Sequence, residues 1–183
     1  MRQEDSLEQY ERRESNIGRF DSYTEYEETG IQYLERIPAD LNIVQLKRAC
    51  KYIKTGSTPS TSKDEYYENE EVPWYGPESI SEDLIVGNPS KWISKTALEK
   101  GAAPRFEDDS VLITIIGNVG KVAYLDKEGS ANQQIRQLKF DPEILDNKYA
   151  TYQLKAFEPI FDSLAPVTTL PILGKKAIDY FEM

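Results

Sequence analysis

The chain has 183 residues, 39% of them apolar and 30% charged, enough for one domain with a real hydrophobic core. No apolar run approaches the roughly 20 residues that span a bilayer, and the charged start, MRQEDSLEQYERRES, lacks the apolar stretch of a secretion signal, so a cytoplasmic location without a membrane partner is expected. Histidine is absent and Cys50 is the single cysteine, which excludes Ser-His-Asp and Cys-His catalysis, an internal disulfide and a cysteine-based zinc site.

In chain order, residues 1–30 are charged, poor in aliphatics and without a clean period. They are expected to form a polar, acidic, weakly ordered extension, with a helical turn or two at most over Arg2 to Arg13. A domain over 31–183 follows. A proline-marked turn at Ile37-Pro38 precedes a strand-like run from Asn42 to Leu46, a helical turn from Lys47 to Ala49, and an extended piece from Tyr52 to Gly56. GSTPSTSKDEYY is loop chemistry. In VPWYGPESI, Trp74 reads as a packing anchor among structure breakers. A short strand ends at Trp92 and Ile93, and Ser94 caps a helix over Lys95 to Lys100 that Gly101 closes. Val111 to Ile116, Lys121 to Leu125 and Gln133 to Phe140 read as a meander of three strands. Asp146 caps a helix through Phe157 with Tyr149, Tyr152 and Ala156 as its candidate inner face. The tail offers a short strand and little else.

The net charge of −10 argues naively against a nucleic-acid partner, but the distribution matters more. Residues 41–63 carry Lys47, Arg48, Lys51, Lys54 and Lys63 and no acid, whereas residues 64–83 carry eight acids and no base. One short segment is therefore plainly basic inside an acidic chain.

Gly117-Asn118-Val119-Gly120-Lys121 invites a phosphate-loop reading, which needs G-x-x-x-x-G-K followed by Ser or Thr. Ile115 stands where the first glycine must be, and Val122 stands where the magnesium-binding hydroxyl must be. Both departures remove atoms that the mechanism uses. A strand–turn–strand with glycines at positive φ is the better reading. No paired carboxylates, metal cluster or nucleophile elbow stands out. Asn132-Gln133-Gln134 does, because amides hydrogen-bond two groups on one base edge; the alternative is that they tie a loop together.

In their order along the chain, GIQYLERIP, NIVQLKRACKYIKTGSTPS, VPWYGPESI, ISKTALEKGAAPRFEDDSVLITIIGNVGKVAY and SANQQI resemble the motifs of a target recognition domain of type I restriction–modification DNA specificity subunits. The resemblance runs from about Ile31 to Ile178. It implies an α+β fold: a twisted, mainly antiparallel sheet with a few short peripheral helices. It also implies a non-catalytic reader of double-stranded DNA with no cofactor of its own. Methyltransferase subunits supply S-adenosylmethionine chemistry in such systems, and a restriction subunit supplies ATP-driven cleavage. The chain stops where the family continues into a spacer helix and a second domain, so a half-length unit is expected.

On this reading Lys54, Lys63, Lys121 and Arg136 lie near phosphates. The hydroxyls of Ser57, Thr58, Thr61 and Ser62 donate to the DNA backbone. Asn118, Asn132, Gln133 and Gln134 read base edges or order the loops. Two rivals remain: an acidic interaction protein that mimics DNA charge, and a small enzyme that uses Asp, Glu or Tyr.

Overall fold

The computed structural model describes residues 23–166 and 169–183. The turns expected over Arg2 to Arg13 lie outside them. The chain divides into two compact units after Asn42. In the first, β1 (Tyr26–Ile31) and β2 (Leu34–Pro38) form an antiparallel hairpin that sets Tyr26 opposite Pro38, with Gly30 at φ +73° before the turn. Ile37-Pro38 therefore closes a strand.

The second unit, 43–183, is built on two sheets. Asn42 to Leu46 makes no strand; Gln45 bridges Glu182, and α1 (Leu46–Ala49) follows, then β3 (Cys50–Thr55). The sheet order is β3-β9-β6-β7, where β6 is Ser110–Thr114, β7 is Val122–Leu125 and β9 is Ile135–Phe140. All its pairs are antiparallel. The second sheet is β5-β4-β8, with β4 at Val72–Tyr75, β5 at Lys91–Ile93 and β8 at Ser130–Ala131. Its β4–β8 pair is parallel and only two residues long.

The expected meander is corrected here: β9 pairs with β6, not with β7. The outer edge of β7 is already occupied, since Val86 N donates to Tyr124 O at 2.9 Å and Tyr124 N donates to Leu84 O at 2.7 Å. The chain instead leaves the first sheet, runs beside β4 as β8, and returns along the other edge of β6.

Strand alternation gives the larger sheet two faces. Leu112, Ala123 and Ile135 face the smaller sheet and share one apolar cluster with Tyr75, Ala131 and Phe106. Val111 and Tyr124 face the opposite way, and there Lys148 of α3 (Asn147–Ala156) lies over the Tyr124 ring. A second cluster, Val72, Trp74, Ile93, Ala97 and Ala103, joins the smaller sheet to α2 (Lys95–Glu99). Trp74 is the buried anchor its sequence context suggests.

Both expected N-caps form. Ser94 Oγ accepts from Ala97 N, and Asp146 Oδ1 accepts from Tyr149 N at 2.9 Å. The inner face of α3 is different from the one expected. Tyr149, Tyr152 and Ala156 are exposed, while Asn147, Ala150, Thr151 and Leu154 are buried. Small side chains let the helix sit close to β6 and β7, and Asn147 Oδ1 accepts from Phe140 N at 2.9 Å. After α4 (Glu158–Leu164), the tail forms a helix where a strand was expected: α5 (Lys175–Asp179), packed near α1. Among the described residues no helix is long and apolar enough to cross a membrane.

Candidate nucleic-acid interface

Two sequence-distant loops are knit together where β3 ends and β9 begins. Gly56 N donates to Ile135 O at 3.0 Å, and a side chain at Gly56 would run into the carbonyl oxygens of Ala131 and Asn132. Only glycine lets the backbones approach this closely. Ser57 is spent on structure: its N donates to Ala131 O, its Oγ to Ala102 O at 2.8 Å, and its carbonyl accepts from Trp74 Nε1 at 3.1 Å. Thr58 is exposed and donates to Gln133 Oε1 at 2.8 Å. Thr61 and Ser62 are exposed; the Ser62 and Ser60 hydroxyls lie 2.9 Å apart. Lys63 is exposed and leans on Tyr66, with Nζ 3.3 Å from the phenol oxygen.

The three amides divide their labour. Asn132 is buried: its Oδ1 accepts from Gln134 N at 2.9 Å and its Nδ2 donates to Gln134 Oε1 at 3.0 Å. Gln134 Nε2 reaches Ile116 O at 3.4 Å, and Gln134 O accepts from Ile115 N at 2.7 Å. These two amides tie the β8–β9 connection to the Gly-Asn-Val-Gly-Lys bend. Gln133 projects between them into solvent.

The bend is a hairpin turn, with Gly117 at φ +83° and Gly120 at φ +82°. Four of its N–H groups are committed to protein acceptors. Gly117 N donates to Pro171 O, Val119 N to Gly117 O, Gly120 N to Thr114 O, and Lys121 N to Thr114 Oγ1. No inward ring of donors remains to cradle a phosphate. Asn118 is exposed at the tip. Lys121 Nζ pairs with Glu82 at 2.6 Å and Glu158 at 3.4 Å, which raises its pKa, the Glu82 hydrogen bond contributing most.

The other cations lie apart. Lys54 pairs across strands with Gln137, and Arg136 with Thr55, so the two cations face opposite sides of the sheet. Lys54 Nζ donates to Arg105 O at 3.2 Å and sits 3.7 Å from Glu107 and 4.2 Å from the Tyr52 ring centre. Arg136 lines a cavity of about 330 Å³ with Lys47, Lys51, Lys175, Thr55 and Asp179. Its Nε and Nη1 are buried without a hydrogen-bond partner among the described residues, and burial lowers its pKa against the opposing pull of Asp179.

The sequence reading missed Thr114, Lys51 and Lys175. Thr114 Oγ1 donates to Asn118 O at 2.5 Å and holds the bend. Lys51 was visible only as a member of the basic run. Nothing local connects Lys175 to it.

The family described as "Type I restriction modification DNA specificity domain" matches residues 38–183. The chain is 30% identical to the MjaVIII specificity subunit of Methanocaldococcus jannaschii over 79% of its own length and 32% of the relative's. It is 27% identical to the EcoprrI specificity subunit of Escherichia coli over 63% of its length and 29% of the relative's. It thus spans about a third of these curated relatives. Among solved structures it resembles the HsdS subunit from Thermoanaerobacter tengcongensis, with a TM-score of 0.61 and 20% identity over 86% of this chain and 35% of that one. A chain of a structure reported as the "Structural basis underlying complex assembly and conformational transition of the type I R-M system" gives a TM-score of 0.64 at 20% identity, covering 86% of this chain and 36% of that one. The ordered motifs, the two-sheet architecture and the match over residues 38–183 agree: this chain belongs to the type I restriction modification DNA specificity domain family.

Proposed function

We propose that this chain is a non-catalytic, sequence-specific reader of double-stranded DNA, working in a type I restriction–modification system beside methyltransferase subunits and, through them, a restriction subunit. The observation that carries the reading is the joined pair of loops. Thr58 and Gln133 are exposed, bonded to each other, and mounted on a backbone junction that Gly56 makes rigid. An amide held by a rigid support can present a donor and an acceptor to a base edge. Asn118 extends the same rim from the neighbouring bend, while Asn132 and Gln134 order the loops.

Lys63 and the hydroxyls of Thr61 and Ser62 are the groups in this set best exposed to meet phosphates, while the Thr58 hydroxyl spends its one proton on Gln133. Ser57 acts by positioning. Lys54 and Lys121 already hold carboxylates, so each must exchange a partner to touch DNA. The paired acids Glu65, Glu71 and Glu82 each meet a lysine of this chain, which reduces the field that the acidic segment projects.

Fluorescence anisotropy with duplex DNA at low and moderate salt tests the reading. The chain should bind with a salt slope, and Gln133→Ala should lose roughly 1–3 kcal/mol of discrimination among duplexes with unchanged melting. A charge mimic would bind no duplex at either salt. Loss of sequence preference upon Lys63→Ala but not upon Gln133→Ala would sink the amide assignment.

A further inference from the structure

The cavity beside Arg136 is the most unusual feature outside the loop rim. Four cations line it: Lys47 from α1, Lys51 from β3, Arg136 from β9 and Lys175 from α5. Asp179 is the single carboxylate in the lining. This concentration of positive charge stands in a chain whose net charge is −10. Lys47, Lys51 and Lys175 are exposed, and only Lys51 has an ion pair among the described residues, at 3.9 Å to Asp141. Two guanidinium nitrogens of Arg136 are closed off and without acceptors among the described residues. Burying a guanidinium charge is costly, and an anion in the adjoining space offsets that cost through Coulomb attraction.

We propose that this cavity is an oxyanion site that takes one phosphate group, with the Arg136 guanidinium at its wall and Lys47, Lys51 and Lys175 around it. A guanidinium and several ammonium groups suit the spread charge of a phosphate. Thr55 also lines the space and is followed directly by Gly56, and Arg136 lies two residues beyond Gln134. The pocket therefore borders the proposed reading rim through two adjacent strands. That position favours a DNA backbone phosphate as the source, a choice that rests on the DNA-reading proposal; free phosphate is the other source.

The test uses the full chain and two probes. Inorganic phosphate is titrated against sodium chloride at matched ionic strength, with thermal melting and calorimetry as readouts. Separately, duplex DNA of random sequence is titrated over a range of salt. Phosphate should raise the melting temperature beyond the chloride control, and Arg136→Met should weaken phosphate at least about tenfold. Lys51→Gln and Lys47→Gln, at exposed positions, give the same direction if Arg136→Met does not fold. If the DNA salt slope also becomes shallower by about one in these variants, the backbone is the source. Phosphate binding lost in the variants with an unchanged DNA slope supports the oxyanion site with free phosphate as the source. Phosphate binding by a chain that binds no duplex supports the pocket and rejects the DNA reading. Wild-type protein indifferent to phosphate relative to chloride, or variants that bind phosphate as the wild type does, overturns the proposal.

Discussion

At the scale of single residues, Gly56 is decided by contact and not by dihedral freedom. Its φ is ordinary, yet a methyl group there meets two carbonyl oxygens. Gly56→Ala should cost about 1–3 kcal/mol, read as a lower urea midpoint at unchanged slope. An unchanged midpoint would mean that the junction yields. Cys50 offers a second check. Burial, and then the charge of Asp179, push its thiol from 9.0 up to about 12. At pH 8 iodoacetamide should alkylate the native chain at least about a hundredfold more slowly than the urea-unfolded chain. Equal rates would contradict the burial.

At the scale of elements, the locally written features were legible. Ser94 and Asp146 carry capping chemistry in their own side chains, and the glycines at 117 and 120 mark a turn that closes on itself. The inner face of α3 was misread because tyrosine counts as apolar by composition while its phenol remains content in water. The sheet needed small residues beneath the helix, and Ala150 and Thr151 supply them. Leu154→Ala should therefore cost about 2–5 kcal/mol, and Tyr149→Ser with Tyr152→Ser should each stay within about 0.5 kcal/mol. Chemical denaturation of the three variants separates these outcomes; a larger loss at the tyrosines than at Leu154 reverses the assignment.

At the scale of the whole molecule, the family and its α+β class were readable from ordered motifs, whereas pairings between distant segments were not. The partner of β9 depended on the edge of β7 being filled from residues 84–86. The company of Lys51 and Lys175 depended on α5 returning beside α1. No local pattern encodes either. The pH dependence also belongs to this scale. Burial, with a hydrogen bond to Asp109, raises Tyr124 to about 12, and Cys50 is raised likewise. Groups with raised folded pKa keep protons that the unfolded chain releases, so their contribution is full below pH 9.0 and is lost as pH climbs toward about 12. Glu65 and Glu82 are held below the usual carboxylate range by lysine hydrogen bonds, so their contribution is present above that range and fades as pH falls. Those pairs face solvent. Melting curves should accordingly lose stability with acid in a manner that added salt blunts, and with alkali in a manner that it blunts only in the part owed to the lysine pairs of Lys100 and Lys121.

The brevity of the β4–β8 ladder has a mechanical consequence. Residues 132–134 join a strand held by two paired residues to one, β9, flanked by partners along both edges. Opening free energy follows the extent of such pairing, so amide hydrogens of Ser130 and Ala131 should exchange with deuterium sooner than those of Leu138. Gln133 is thus carried between a short ladder on one side and the four-stranded frame on the other, and the exchange pattern reads how firmly each end is held.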